Sequence, residues 1–265
     1  MARRRKSNRR RRRGSFGFLY KLLSTLAICA VVVAALTLFF RVDTIEVTGM
    51  ERYTAQEVID ASGVASGDNL FLLNKYSVDQ DIKTALPYIE ELRINRRLPD
   101  TLVIQVQECG TPLAVVQDGS AWLVSPKGKI VGQEEASAAE GYGVIDGCQL
   151  LAPSVGTSLA LATEYANQQQ SLLNLLAALE EAGLMDQVDA IHLSDLAVLR
   201  MDYAGRFVVE LPYGADYDYK LRSLVASLEI DAIQSNQTGT IQLTRDDGKV
   251  NFIPSVSYTH LRAHE

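Results

Sequence analysis

Residues 86–108 read LPYIEELRINRRLPDTLVIQVQE, and this stretch decides the fold of the first globular part of the chain. In its second half, Leu102, Ile104 and Val106 alternate with polar residues, which is the period-2 pattern of a half-buried strand. The first half, up to Arg97, shows the same alternation, and the letters RLPD join the two halves. The stretch therefore predicts a β-hairpin whose apolar face needs a cover.

The segment before this hairpin supplies that cover. Residues 42–49 alternate and stop at glycine, which predicts a strand. Thr54 and Glu57 have the spacing of a capping box at the start of a helix, and Ser77 is expected to cap a second helix. Residues 70–73, LFLL, are expected to contribute to the core. The order β-α-α-β-β predicts an α+β module.

An ordered set of residues follows the pattern G-x-x-x-G-x-N-L-F, then L-P-x-I, then R-x-L-P-x-T-L-x-I-x-V-x-E and P-x-A. The matching residues are Gly63, Gly67, Asn69, Leu70, Phe71, Leu86, Pro87, Ile89, Arg97, Leu98, Pro99, Thr101, Leu102, Ile104, Val106, Glu108, Pro112 and Ala114. In these positions the segment resembles the POTRA domain of the FtsQ/DivIB cell-division proteins. The resemblance implies a POTRA domain over residues 42–110.

A long apolar run lies nearer the N-terminus. Residues 22–40, LLSTLAICAVVVAALTLFF, carry no charge, and as a helix they would cover about 28 Å, close to the ~30 Å core of a bilayer. A cleaved signal peptide has a shorter apolar region of about 7–15 residues and a small-residue cleavage site, whereas this run ends in bulky residues. We therefore predict a retained transmembrane helix.

Charge divides the chain at this run. Eleven Lys and Arg lie at or before Arg41, nine of them between Arg3 and Arg13, while all 32 acidic residues follow it. The part after Arg41 has 15 basic and 32 acidic residues, a net charge of −17. Since cytoplasmic flanks favour Lys and Arg, residues 1–21 are predicted to be a cytoplasmic tail. The acidic outer part argues against nucleic-acid binding.

Residues 111–254 are predicted to form a larger mixed α/β-sheet domain, which resembles the β domain that follows POTRA in the same family. The pattern predicts helices at 160–182 and 216–229, a loop at 134–141, and final strands at 239–245 and 249–253 joined by the turn 246–248. The leucine stripe of the first helix could pack on its own sheet or bind a partner. Cys109 and Cys148 could pair or remain separate.

Catalytic, cofactor and metal sites are not predicted. His192 is the sole histidine before residue 255, and the chain has no Ser-x-x-Lys, H-E-x-x-H, Walker or dinucleotide-binding motif. The other histidines, His260 and His264, lie in residues 255–265, which lack periodicity and resemble a translated read-through tail. We expect no enzyme activity, no cofactor and no metal.

The resemblance implies a non-enzymatic divisome scaffold, a single-pass protein of the bacterial cell membrane located at the division septum. Its implied partners are bitopic division proteins of the FtsL and FtsB/DivIC type, with septal wall-synthesis proteins as further candidates. The family's docking edge corresponds to Lys249, Val250, Asn251, Phe252 and Ile253. Two alternatives stay open: this strand merely closes the sheet, or the chain is a POTRA-containing chaperone of secreted or outer-membrane chains.

Overall fold

The computed structural model describes residues 16–229, 237–245 and 249–255. The chain enters this region through helix α1, Phe16–Phe39. Residues 17–37 of α1 form one helix that is long and apolar enough to cross a membrane, and its apolar side chains are exposed on all sides. The helix begins six residues before the predicted start at residue 22, because residues 16–21, including Lys21, are also helical. Most of the basic tail and of the terminal segment lies outside the described residues.

A small unit follows α1. Its elements are β1 (Thr44–Thr48), α2 (Ala55–Ser62), α3 (Lys75–Ala85), β2 (Ile89–Arg97) and β3 (Thr101–Glu108). The three strands have the order β1-β3-β2, with β1 parallel and β2 antiparallel to β3. Val58, Ile82, Leu102 and Ile104 are fully buried between the helices and the sheet. The predicted β-α-α-β-β module is therefore confirmed.

Of the two predicted helix caps in the small unit, the one at Thr54 is present and the one at Ser77 is not. Thr54 caps α2, and its backbone N–H donates to Glu57 Oε2 at 2.8 Å, so the capping box is present. Ser77 does not cap α3, because the helix begins two residues earlier at Lys75. The side chain of Asn74 accepts from the N–H of Tyr76 at 3.1 Å, so an equally good capping residue comes first in the chain.

Residues 70–73 also depart from the expected core. Leu70 is fully buried, but Phe71 is 53% and Leu72 is 78% exposed. Asn69 Oδ1 accepts the N–H groups of Phe71 at 2.9 Å and Leu72 at 3.2 Å, and this Asx turn directs the two apolar side chains outward. Only part of this apolar run therefore belongs to the core.

A large unit occupies the rest of the chain. Its elements are β4 (Leu113–Gln117), β5 (Ser120–Val124), β6 (Ile130–Glu135), β7 (Gly143–Asp146), α4 (Ala166–Glu181), β8 (Val188–His192), β9 (Val198–Tyr203), β10 (Phe207–Pro212), α5 (Tyr217–Glu229), β11 (Gly239–Gln242) and β12 (Asn251–Pro254). They form one nine-stranded sheet of order β12-β11-β10-β9-β8-β7-β4-β5-β6. Its β4–β7, β7–β8 and β10–β11 pairs are parallel.

Three boundaries in the large unit differ from the expectations. The loop expected at residues 134–141 is the end of β6 followed by a 3-10 helix, Ala136–Gly141, because Ala139 is buried. Helix α4 begins at Ala166 rather than at residue 160, since Leu161 is extended and pairs with Leu150. The last two strands are shorter than expected, and the turn at residues 246–248 lies outside the described part.

The leucine stripe of α4 packs inside the large unit. Leu172, Leu175, Leu176 and Leu179 are all fully buried in the same core cluster as Ile191 and residues of neighbouring strands. Burial of a Leu side chain stabilises a fold by about 1.5–3 kcal/mol, so this stripe is a main contributor to the core. Of the two interpretations of the stripe, packing on the chain's own sheet is confirmed.

The two units contact each other directly. Lys127 Nζ lies 2.8 Å from Glu91 Oε1, and Lys129 Nζ donates to the carbonyl oxygen of Pro87 at 2.9 Å. Tyr88 packs against a buried cluster at the β4–β6 end of the large sheet, and burial raises its pKa to about 12. Polar and apolar contacts therefore both hold the small unit to this end of the large sheet.

Cys109 and Cys148 are free thiols in the structure. Burial raises the pKa of Cys109 to about 12 and that of Cys148 to about 11. Because the thiolate is the reactive form, both groups are poor nucleophiles near neutral pH. In the structure both cysteines are partly buried small side chains that pack against the core clusters.

Candidate partner-binding edge

Strand β12 lies at one edge of the large sheet. It pairs with β11 on one side, and in the described part of the chain no strand lies on its other side. Of the five residues predicted to bind partners, Asn251, Phe252 and Ile253 lie in β12, while Lys249 and Val250 precede it. The strand extends instead to Pro254, opposite Gly239 in β11.

The side chains of β12 divide between the two faces of the sheet. Phe252 is paired with Ile241, which is fully buried, and its ring contacts Phe207 edge-on with 6.2 Å between centroids. Ile253 is 48% exposed, and Asn251 Nδ2 donates to Gln242 Oε1 at 2.9 Å. Phe252 therefore anchors β12 to the core, whereas Ile253 is available to a partner.

The backbone of β12 offers hydrogen-bonding groups to solvent at alternate residues. The N–H of Ser255 donates to the carbonyl oxygen of Thr238 at 2.8 Å, so these two opposite residues form a hydrogen-bonded pair. Opposite pairs in an antiparallel ladder alternate between hydrogen-bonded and non-hydrogen-bonded. Two residues back, Ile253 is therefore hydrogen-bonded to β11, whereas the N–H and C=O of Phe252 point away from β11. Pro254 also points outward and has no N–H. Within β12, Phe252 is thus the outward-pointing donor.

Gly239 allows β12 to approach β11 closely. A Cβ atom at this position would overlap the carbonyl oxygen of Ile253, and it would also lie 2.8 Å from the Phe252 ring. Glycine inside a strand commonly marks such a close backbone approach. In the sequence, the only sign of this close approach is that a glycine opens the predicted strand 239–245.

Two cations, Lys220 and Arg206, hold the backbone on either side of β11. Lys220 from α5 is 6% exposed, and its Nζ donates to the carbonyl oxygen of Arg245 at 2.7 Å. Arg206 donates to the carbonyl oxygen of Gln237 at 2.9 Å, and its guanidinium lies 4.7 Å from the Phe207 ring centroid. The edge is therefore held in place at both ends of its supporting strand.

Comparison with known proteins finds a matching domain family and several similar proteins. Residues 40–108 match the family model described as "POTRA domain, FtsQ-type". The small unit is an FtsQ-type POTRA domain.

The relatives extend the likeness beyond the POTRA domain. "Cell division protein DivIB" of Clostridium botulinum is 23% identical over 242 residues, which cover 90% of this chain and 89% of the relative. "Cell division protein FtsQ" of Geotalea daltonii is 29% identical over 71% of this chain and 66% of the relative. The FtsQ protein of an Anaeromyxobacter species is 32% identical over 59% of this chain and 58% of the relative. Over most of its length the chain is therefore similar to proteins named DivIB or FtsQ.

One polar cluster lies away from the edge. His192 in β8 is placed between Asp146 in β7 and Asp202 in β9, with Nδ1 2.9 Å from Asp146 and Nε2 3.2 Å from Asp202. The two carboxylate partners of His192 could not be predicted from the sequence, because the strand pairing that places them beside it is not local. Both ring nitrogens face carboxylates, an arrangement that favours a protonated, structural histidine over a general base.

The stability of the fold is expected to depend on pH through His192. Burial opposes protonation of the ring, but the hydrogen bonds to Asp146 and Asp202 outweigh it and raise the pKa. A histidine whose pKa is raised on folding stabilises the fold below its unfolded pKa, about 6.5, and this contribution disappears as the pH rises through the folded pKa. His192→Gln should therefore lower the free energy of unfolding by up to about 1 kcal/mol at pH 5.5 and by less at pH 9.

Urea unfolding of the full chain in detergent at both pH values measures this difference. Arg200→Gln serves as the control, because Arg200 on the neighbouring strand also forms ion pairs, with Asp195 and Glu210, but has no imidazole. Equal losses for His192→Gln at the two pH values would contradict the prediction.

Proposed function

We propose that this chain is a membrane-anchored, non-enzymatic scaffold that brings other bitopic proteins to the bacterial cell division site. The observation that carries the proposal is its likeness to a DivIB protein along 90% of its length, together with the FtsQ-type POTRA domain that directly follows α1. In this proposal residues 42–110 and 111–254 are the two outer domains.

The anchor part of the proposal rests on α1. Leu26, Ile28 and Val31 are more than 60% exposed, and the most apolar stretch within residues 17–37 is not buried against the rest of the chain. A helix that is apolar on all sides requires apolar surroundings, and its length matches a bilayer core. The basic residues between Arg3 and Arg13 favour a cytoplasmic N-terminus, which places both units outside.

The recruitment part of the proposal rests on β12. A sheet edge with outward-pointing backbone groups is a template on which a partner can add a strand, and nearby side chains then select the partner. Here the N–H and C=O of Phe252 supply the backbone contact, and the exposed Ile253 supplies a side-chain contact. The proposed partners are the bitopic division proteins of the FtsL and FtsB/DivIC type.

Imaging in dividing cells tests the proposed function. A fluorescent fusion of the full chain, expressed in bacteria depleted of their own FtsQ or DivIB protein, should localise at the septum and restore division. A fusion that lacks residues 40–108 should lose septal localisation if the POTRA domain recruits the chain. Uniform membrane fluorescence of the full-length fusion, with cells that remain filamentous, would contradict the proposal.

A side-chain variant tests the assigned edge. Ile253→Asp should weaken capture of the soluble segment of an FtsB/DivIC-type partner, because it places a charge where an apolar contact is proposed. Val116→Asp is the matched control, since Val116 is 47% exposed in β4, a strand with a neighbour on each side, compared with 48% for Ile253. Pull-down with the full chain in detergent measures both variants, and equal capture by the two would contradict the edge assignment.

A further inference from the structure

An apolar pocket of about 400 Å³ lies where α1 meets the POTRA domain. Val33, Leu36 and Phe40 line one wall, and Phe71 and Leu72 line the other. Phe71 and Leu72 are 53% and 78% exposed, so two large apolar side chains of the folded domain point into solvent beside the helix. Exposure of adjacent large apolar residues on a folded domain marks an interaction surface.

The loop that carries these side chains is fixed to the end of the helix. Asn69 Nδ2 donates to the carbonyl oxygen of Thr37 at 3.2 Å, and the N–H of Leu70 donates to the carbonyl oxygen of Phe40 at 3.0 Å. These bonds satisfy carbonyl groups that have no partner within the last turn of a helix. The Phe40 and Phe71 rings also meet edge-on, with 4.9 Å between centroids. These contacts therefore fix the position of the loop relative to the end of α1.

The position of the loop along α1 sets its depth relative to a membrane. The pocket extends from Phe40, the last residue of the apolar run, back to Val33. Seven residues of helix correspond to about 10 Å along the axis. Phe71 and Leu72 therefore lie beside the apolar part of α1, not beyond it. A helix that crosses the bilayer along this run would carry both side chains into the same leaflet.

Cationic residues lie close in the chain to this apolar surface, since Arg41 follows Phe40 and Lys75 comes two residues after Leu73. The Arg96 guanidinium lies 6.0 Å from the centroid of the Phe71 ring and donates to the carbonyl oxygen of Leu73 at 2.8 Å. Arg41 pairs with Asn69 across a β-bridge, and Lys75 donates to the carbonyl oxygen of Ile94. Apolar side chains with adjacent Lys and Arg form the usual pattern of an interface with anionic lipid.

We infer that residues 69–73 are a lipid-contact loop, which inserts Phe71 and Leu72 into the outer leaflet beside α1 and holds the POTRA domain at the membrane surface. The inference rests on the membrane anchoring in the proposed function. Lipid is the occupant that the structure favours, because side chains of the loop and of α1 line one apolar pocket and the Arg96 guanidinium lies next to the Phe71 ring.

Tryptophan quenching in the full chain tests this inference. Leu72→Trp is compared with Leu196→Trp, since Leu196 is 80% exposed in the large unit, and with Ile28→Trp inside α1. The chain contains one native tryptophan, Trp122, whose emission is measured in the unsubstituted chain and subtracted. Each variant is placed in phosphatidylcholine–phosphatidylglycerol nanodiscs, with and without bromine at carbons 6 and 7 of the acyl chains, and titrated with iodide.

We expect brominated lipid to reduce the emission of Leu72→Trp and Ile28→Trp, and iodide to reduce that of Leu196→Trp only. If Ile28→Trp is quenched by bromine while Leu72→Trp is quenched by iodide, the lipid contact is wrong and the anchor stands. If Ile28→Trp is not quenched by bromine, the anchor and the lipid contact are both wrong. Protection of Leu72→Trp from both quenchers would show that protein covers the loop, which also overturns the inference.

Discussion

Replacement of Phe252 by proline is expected to eliminate most partner binding, whereas replacement by alanine leaves a weaker but measurable complex. Both variants lose the ring that contacts Phe207, so their losses of core packing are similar. Proline additionally removes the backbone N–H of residue 252, which points away from β11. Proline is tolerated in edge strands when its missing N–H faces solvent, so pairing between β11 and β12 should persist.

The difference between the two variants isolates the backbone contact. A partner carbonyl left without its donor costs about 1–3 kcal/mol, which corresponds to a Kd about 5- to 150-fold weaker for Phe252→Pro than for Phe252→Ala. Titration of the full chain in detergent with the soluble segment of the partner measures both values. Hydrogen exchange at Thr240 and Gln242, whose amides face β12, checks that β11 and β12 remain paired in each variant. Equal Kd values would show that no strand is added at this edge.

The same pair of variants improves on Phe252→Glu, the simplest charge substitution at this edge. Phe252 is half-buried and faces the core, so a glutamate there would disturb the sheet as well as any interface. A buried unpaired carboxylate costs several kcal/mol, which would make loss of binding uninformative.

Gly49→Ala is expected to destabilise the POTRA domain by about 3–5 kcal/mol. Gly49 has φ +88°, and a Cβ atom there would overlap the carbonyl oxygen of Val106 in β3. Alanine must therefore adopt a left-handed conformation and also displace a strand at the centre of the small sheet. A domain of about 70 residues has a total stability of about 3–10 kcal/mol, so this substitution removes a large share of it.

Gly67→Ala provides the matched control for this prediction. Gly67 has a similar φ of +96°, but a Cβ atom there would meet nothing within 4 Å. Its expected cost is therefore the conformational term alone, about 1–2 kcal/mol. The free energy of unfolding of both variants is measured by urea titration of the full chain in detergent, with hydrogen exchange of the β3 amides as the readout for the POTRA domain. Similar losses for the two glycines would contradict the role assigned to the Val106 contact.

Local sequence patterns were sufficient for much of the fold. The alternation at Leu102, Ile104 and Val106 predicted β3, and the spacing of Thr54 and Glu57 predicted the start of α2, because both signals depend on residues close in the chain. The unbroken apolar run predicted α1 for the same reason, although the helix continues on its N-terminal side.

Features set by distant residues could not be predicted in the same way. Phe71 and Leu72 read as core residues, but the Asx turn at Asn69 directs them outward beside α1. His192 gains its two carboxylate partners only through the pairing of β7, β8 and β9. The docking edge itself came from the family resemblance, and the alternation of Phe252 and Ile253 between core and solvent follows from pairing with β11.

Amide hydrogen exchange of the full chain, with and without the soluble segment of the proposed FtsB/DivIC-type partner, tests strand addition at β12 most directly. Asn251 and Ile253 already pair with β11, so their amides should change little on binding, whereas the outward-pointing amide of Phe252 should become strongly protected. Protection of Phe252 at saturating partner is the predicted result. Unchanged exchange at Phe252, with new protection at β6 on the opposite edge or in the POTRA domain, would contradict the account.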